Sequence, residues 1–272
     1  MAYGLFSSHS RLHGSHSYRK LAQHTPHHTH TLTPRHPQGV PWEYGEDAPK
    51  VLAKYLDAKH RLMPYLYYHA IQGHEKGHPV QRAMWLDFVD DRTTHSLDRQ
   101  FMLGPSLLVA PVFVPSSEEA EYYLPGGRWT SFWSDRIIEG PRWVREKVAV
   151  DDIPVWVRPG TILVLGQRGV KTPDYDYTKD LTVRIYEIGE GQSVASYIPR
   201  GSGGEIAGII RARRDGGGLN IWVAKGPLTV ATIQIFAKDL PMIQNVVGAK
   251  QRNGEVGIFD VDAGTREVHI QT

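Results

Sequence analysis

An α/β segment followed by an all-β region is the fold class this sequence predicts, and three observations carry the prediction. Apolar residues recur at three- and four-residue steps between residues 46 and 77, the spacing of one helix face. A short, largely apolar run, Pro79 to Phe88, follows. Beyond residue 105 helical spacing gives way to short apolar runs broken by Gly and Pro, the texture of β-sandwiches.

In chain order, Val51, Leu52, Tyr55, Leu56, Leu62, Met63, Leu66, Tyr67, Ala70 and Ile71 form the helical face. Pro64 inside it predicts a kink or two abutting helices, and Gly73 and Gly77 close it. The run 79–88, with Val80, Ala83, Met84, Trp85, Leu86 and Phe88, suits a strand covered on both faces. Asp90 to Leu103 reads as another helix, capped by Asp90 or Asp91 and stopped by Gly104-Pro105.

Leu107 to Val114 then reads as a strand. Tyr122 to Leu124 and Trp129 to Trp133 flank a turn at Pro125-Gly126-Gly127. Pro154 to Val157 and Thr161 to Leu165 flank Arg158-Pro159-Gly160, where Pro159 presets φ and Gly160 takes the positive φ of a type II turn. Leu181, Val183 and Ile185 alternate with Thr182, Arg184 and Tyr186. Further strands are expected near 206–212, 219–224, 228–236, 256–261 and 266–271, and a break from Lys171 to Asp180 divides the β region in two.

Composition narrows the function classes. Among 272 residues, 31 Lys+Arg against 29 Asp+Glu leave a formal charge of only +2, which argues against a nucleic-acid partner. The absence of cysteine excludes disulfide scaffolds, thiolate metal sites and cysteine nucleophiles. The longest nearly apolar run, Met102 to Val114, is interrupted by Gly104, Pro105 and Pro111 and is shorter than the roughly 20 residues a membrane span needs, so no membrane association is expected.

The opening stretch differs from the rest. No acidic residue precedes Glu43, and eight of the 14 histidines lie before residue 40. The composition loosely matches a transit peptide, but no amphipathic period runs through it and no apolar core marks a secretory signal. The cytoplasm is the expected compartment. Residues 20–39 are a low-complexity His/Pro segment with Pro26, Pro34 and Pro37, too poor in large hydrophobes to offset the entropy of ordering. His24, His27, His28 and His30 have the chemistry of metal ligands, but a solvated polar loop is the preferred reading. No cofactor is expected.

Several segments resemble glycoside hydrolase family 31, particularly its α-xylosidase-like branch. They are YGLFSSHSRLHGSHSYR (3–19), VPWEY (40–44), KHRLMPYLYYHA (59–70), PVQRAMWLDFVDD (79–91), DRQFMLGPSLLVAPVF (98–113), YYLPGGRWTSFW (122–133) and IPVWVRPGTILVLG (153–166). The resemblance implies the C-terminal end of a (β/α)8 TIM barrel over residues 1–103, with a proximal β-sandwich over 104–175 and a distal β-sandwich over 176–272. Residues 79–88 would be the eighth barrel strand, exposing unpaired edges, and helix 46–77 would turn an apolar stripe to water. Removing residues 20–39 joins Ser-Tyr-Arg to Val-Pro-Trp as in the family, so this stretch reads as a translated intervening sequence or a gene-model error.

The family hydrolyses α-glycosidic bonds with retention, which needs two carboxyl groups about 5–5.5 Å apart. By the resemblance both lie on earlier barrel strands, so no catalytic residue is expected within this chain. Its substrates would be α-linked xylosides or glucosides, and its partner the N-terminal barrel portion. The one substrate-binding residue implied is His9, in the SSHSRLHG motif, where an imidazole would hydrogen-bond a sugar hydroxyl and orient it. Arg11 and His13 share the motif without an assigned sugar contact. Two other functions stay open: a non-catalytic carbohydrate-binding or regulatory β-sandwich, and a His-rich metal-binding adaptor.

Other residue types invite a functional reading. Asp87, Asp90 and Asp91 follow the expected strand, yet Asp90 and Asp91 also suit helix capping. Trp129, Trp133, Trp143 and Trp156 could stack on sugars or pack a β-sandwich core. Gly201, Gly203, Gly204 and Gly216 to Gly218 match no phosphate-binding pattern and read as loops.

Overall fold

The structure, a computed structural model, describes residues 6–7, 46–113, 119–149, 151–201, 204–237 and 245–271. It is mostly β. Two helices, α1 (Asp47–Arg61) and α2 (Met63–Lys76), abut at Leu62 with Pro64 in the first turn of α2, where its missing N–H costs nothing. Gly77 closes α2 in the left-handed conformation at φ 73°.

The run 79–88 is not a continuous strand. Only β1 (Gln81–Arg82) is extended, and Met84–Asp87 form a single helical turn, α3. A short apolar run has no period that separates buried strand from helix, and here only Met84 of the turn is buried while Trp85 and Leu86 face outward. The helix expected over 90–103 is likewise shorter. A 3-10 turn spans Arg92–Ser96, and Phe101–Leu103 is strand β2, with all three side chains buried.

The six-stranded sheet has the order β1-β2-β3-β6-β4-β5, with β3 (Leu107–Val109), β4 (Glu119–Ser131), β5 (Ile137–Lys147) and β6 (Val155–Val157). Its central strands are buried on both faces and sort by the two-residue period. Phe101, Leu103, Leu107, Val109, Val155 and Val157 point to the core under the helices, and Met102, Leu108 and Trp156 to the opposite core. The expected Pro125-Gly126-Gly127 turn is instead a bulge within β4. Leu124 pairs with Arg142 and Gly127 with Gly140, so both flanks keep the same partner strand. A Cβ on Gly140 would fall 2.1 Å from the Pro125 carbonyl oxygen, so only glycine permits this approach.

Gly160, at φ 73°, turns the chain as expected, but the strands it joins do not pair. β6 stays in the first sheet, while β7 (Thr161–Leu165) pairs antiparallel with β8 (Leu181–Tyr186). The second sheet runs β14-β15-β12-β8-β7 and the third β13-β16-β11-β10-β9. These comprise β9 (Ser193–Pro199), β10 (Ile206–Asp215), β11 (Gly218–Lys225), β12 (Val230–Phe236), β13 (Asn245–Val247), β14 (Ala249–Gln251), β15 (Ile258–Val261) and β16 (Glu267–Gln271). The two sheets bury Leu181, Val183, Ile185, Ile233 and Phe259 against Ile198, Ile210, Ile221 and Ile270, a sandwich core.

Strand β7 belongs to two cores. Ile162 and Val164 pack into the sandwich, and Leu163 and Leu165 into the cluster beneath α1 and α2. That second cluster also overturns the expected exposed helical stripe. Tyr55, Leu62, Tyr65 and Leu66 are buried with Leu103, Leu107 and Val157, because the six-stranded sheet and β7 supply the covering surface.

Candidate functional site

The motif carrying His9 is rooted in a box of aromatic rings. Phe6 is buried, edge-on to Tyr55 at 5.9 Å, Phe132 at 6.0 Å and Trp133 at 5.6 Å between ring centroids. Edge-to-face rings at this separation gain quadrupolar attraction beyond the area they bury. The box is fixed by its polar ends: the Trp133 indole donates to the Ile153 carbonyl at 2.8 Å and the Tyr55 hydroxyl to the Asp151 carbonyl at 2.5 Å. Tyr55 comes from α1, and Phe132 and Trp133 directly follow β4. His9 itself lies outside the described residues, as do Arg11, His13, His24, His27, His28 and His30. Of this motif the structure describes Phe6 and Ser7, both buried.

The three aspartates do not form a facing acid/base pair. Asp87 Oδ1 accepts from Arg82 Nη1 at 3.1 Å, and Asp87 Oδ2 is buried without a hydrogen-bond partner among the described residues. Asp90 is exposed. Asp91 caps the 3-10 turn by accepting from the Thr93 N–H at 3.1 Å, and its other oxygen accepts from the Tyr123 hydroxyl at 2.8 Å. Asp91 is therefore a cap and a brace, the expected capping role. Beside the Arg82–Asp87 pair lies His69, buried against the Tyr65 ring at 4.4 Å. Burial first, and the Arg82 charge second, push its imidazole down to about 3, so it stays neutral near neutral pH. The Tyr65 hydroxyl donates to the Leu103 carbonyl at 2.7 Å and accepts from the Ser106 N–H at 3.1 Å. Sequence reasoning did not single out Arg82 or His69, because a lone histidine on an apolar helix face carries no spacing signal.

The four tryptophans divide. Trp129 and Trp156 are buried, donating to the Pro125 carbonyl at 2.8 Å and the Tyr122 hydroxyl at 2.9 Å. Trp133 belongs to the Phe6 box. Trp143, on edge strand β5, stays 52% exposed. Gly216 and Gly217, at φ 59° and 82°, are the two central residues of the β10–β11 hairpin, the geometry that favours glycine twice. Gly203 lies outside the described residues. Among the described residues no group of three or more His, Asp or Glu is placed to hold a metal ion, and no helix is long and apolar enough to cross a membrane.

The chain thus presents a six-stranded antiparallel sheet followed by a two-sheet sandwich. The glycosyl hydrolase family 31 C-terminal domain is matched by residues 77–163, and the alpha-xylosidase YicI C-terminal domain by residues 176–272. The chain belongs to glycoside hydrolase family 31 and carries its C-terminal β-domains. It is 36% identical over 218 residues to alpha-xylosidase XylQ of Lactiplantibacillus pentosus, covering 79% of this chain and 26% of that protein. It is also similar in fold to the Flavobacterium johnsoniae GH31 dextranase, with a TM-score of 0.69, 23% identity, and 86% of this chain and 34% of that one covered. The Xanthomonas citri GH31 alpha-xylosidase aligns with a TM-score of 0.61 at 22% identity over 87% of this chain and 26% of its own. The chain thus spans about a quarter of the length of the curated relative XylQ.

Proposed function

We propose that this chain supplies the C-terminal β-domains, and the last elements of the (β/α)8 barrel within residues 1–103, to a retaining α-glycosidase acting on α-linked xylosides or glucosides. The six-stranded sheet over residues 81–157 is its proximal β-domain and the two sheets over residues 161–271 its distal sandwich, rather than 104–175 and 176–272, because β1 and β2 pair into the first sheet and β7 into the second. Its partner is the N-terminal barrel portion that carries the nucleophile and the general acid/base. His9 then hydrogen-bonds a substrate hydroxyl from the loop mounted on Phe6. Nucleic acid and membrane play no part, and the cytoplasm is the compartment.

The observation that carries this reading is an apolar patch. Trp85, Leu86 and Val89 are 47%, 46% and 63% exposed within five consecutive residues, beside the well-buried Arg82–Asp87 ion pair. Large apolar side chains clustered at a surface mark a place where other polypeptide packs. Asp87 and Asp91 are engaged by Arg82, Thr93 and Tyr123, so in this reading neither serves as nucleophile or general acid/base.

The test is hydrolysis of 4-nitrophenyl α-D-xyloside and α-D-glucoside. The purified chain gives no turnover. Joined to an upstream barrel portion from a family 31 α-xylosidase, it turns over, and His9→Ala lowers kcat/KM. Turnover by the purified chain alone, abolished by changing one of its own aspartates, would overturn the reading.

A further inference from the structure

We propose a glycan-binding groove on the outer face of the β4–β5 hairpin that takes a neutral α-glucan or α-xylosylated glucan. The groove encloses about 550 Å³ between β5 and the segment around Arg99. Its walls carry two exposed aromatic rings, Trp143 at 52% and Phe113 at 51%.

Trp143 is held open from behind. It pairs in register with Tyr123 across β4 and β5, and the two rings sit 5.6 Å apart at 56°. Tyr123 cannot move aside. Its N–H donates to Gln100 Oε1 at 2.7 Å, its carbonyl accepts from Gln100 Nε2 at 2.8 Å, and its hydroxyl is bound to Asp91. An edge strand ordinarily carries charge rather than a large ring, and a tryptophan fixed in water is the residue type most enriched where ligands or partners bind.

The polar groups of the groove fit a sugar. Asp98, Arg99 and Glu121 line the same groove as the two rings and offer carboxylate acceptors and guanidinium donors to the hydroxyls of a pyranose whose C–H face stacks on the indole. The titratable groups of the groove are Asp98, Arg99, Glu119, Glu121 and Arg145, with Arg145 paired to Glu119 at 2.6 Å. Three carboxylates against two guanidinium groups repel phosphate and favour an uncharged ligand. The choice of glycan as ligand class rests on the proposed function; the aromatic geometry does not.

Native affinity electrophoresis of the full chain tests the site, with soluble xyloglucan or dextran in the gel and hydroxyethyl cellulose as the control polymer. Xyloglucan or dextran retards the wild type, Trp143→Ala weakens that retardation at least tenfold, and Trp143→Phe restores part of it. In the wild type, the retarding polymer also shields Trp143, but not the similarly exposed Trp85, from N-bromosuccinimide, read by peptide mass mapping. No retardation by either polymer, equal retardation by the control, or unshielded Trp143 overturns the proposal. Both readouts follow Trp143 and neither needs turnover, so a failed glycosidase reconstitution and a failed groove are told apart.

Discussion

Arg82 and Asp87 face each other at 3.1 Å where their side chains keep only 13% and 12% of their surface. The pair links β1 to the end of α3, the short turn that presents Trp85 and Leu86. A buried charge stripped of its partner is costly, whereas an apolar pair of similar volume is often tolerated. Asp87→Ala therefore lowers stability by about 3 kcal/mol in urea unfolding, and the double change Arg82→Met with Asp87→Leu recovers most of the loss. Equal losses in the single and double variants would contradict a partnership.

His69 makes stability depend on pH. Its folded value is pushed down from 6.5 to about 3, so between those values the unfolded chain holds a proton that the native chain does not. Its contribution is complete above pH 6.5 and is lost as pH falls towards 3, at up to about 1.4 kcal/mol per pH unit. Urea unfolding of wild type and His69→Gln at successive pH values between 7 and 4 isolates this contribution from that of the carboxylates. The wild type shows the steeper slope; parallel curves would refute it.

Two glycines with positive φ differ in their surroundings. Gly77, at φ 73°, has nothing within 4 Å of an added Cβ, whereas at Gly226, φ 83°, a Cβ would lie 1.9 Å from the Ala207 carbonyl oxygen. Gly77→Ala costs about 1 kcal/mol, the penalty of the left-handed conformation alone. Gly226→Ala costs clearly more, because backbone must move. Denaturation midpoints of the two variants, compared side by side, decide it, and a Gly226→Ala loss no larger than that of Gly77→Ala goes against the clash.

Phe6 ties the motif of His9 to α1 through Tyr55 and to the end of β4 through Phe132 and Trp133. Phe6→Ala removes a fully buried ring from the box with Tyr55, Phe132 and Trp133 and costs about 3–4 kcal/mol, with Phe6→Leu losing less. Thermal unfolding measures both, and an unchanged Tm for Phe6→Ala would show that the box does not hold this segment.

Much of this architecture was legible. Spacing marked the face of α1 and α2, Pro64 marked their junction, and Gly160 marked a turn of positive φ. Asp91 proved to be a cap, as its place before a helical turn suggested. What escaped was decided by partners distant in sequence. Residues 79–88 are apolar enough for a strand, yet only Gln81 and Arg82 find a neighbour, in β2. Pro125-Gly126-Gly127 has turn chemistry, but β5 pairs on both sides of it and makes it a bulge. Both β5 and β9 lack clean alternation, with only Val144 buried in β5, and so gave no strand signal. His9 came from resemblance to a family and from no pattern in composition; the mount under Phe6 needed three dimensions.

Strand β7 has a practical corollary for anyone dividing this polypeptide. With Ile162 and Val164 on one side and Leu163 and Leu165 on the other, it works as a party wall between two rooms. A truncated chain beginning at residue 176 would leave β8 without its antiparallel neighbour and open the sandwich at that edge. The halves are thus not interchangeable modules, and grafting either onto another protein requires carrying β7 along with it.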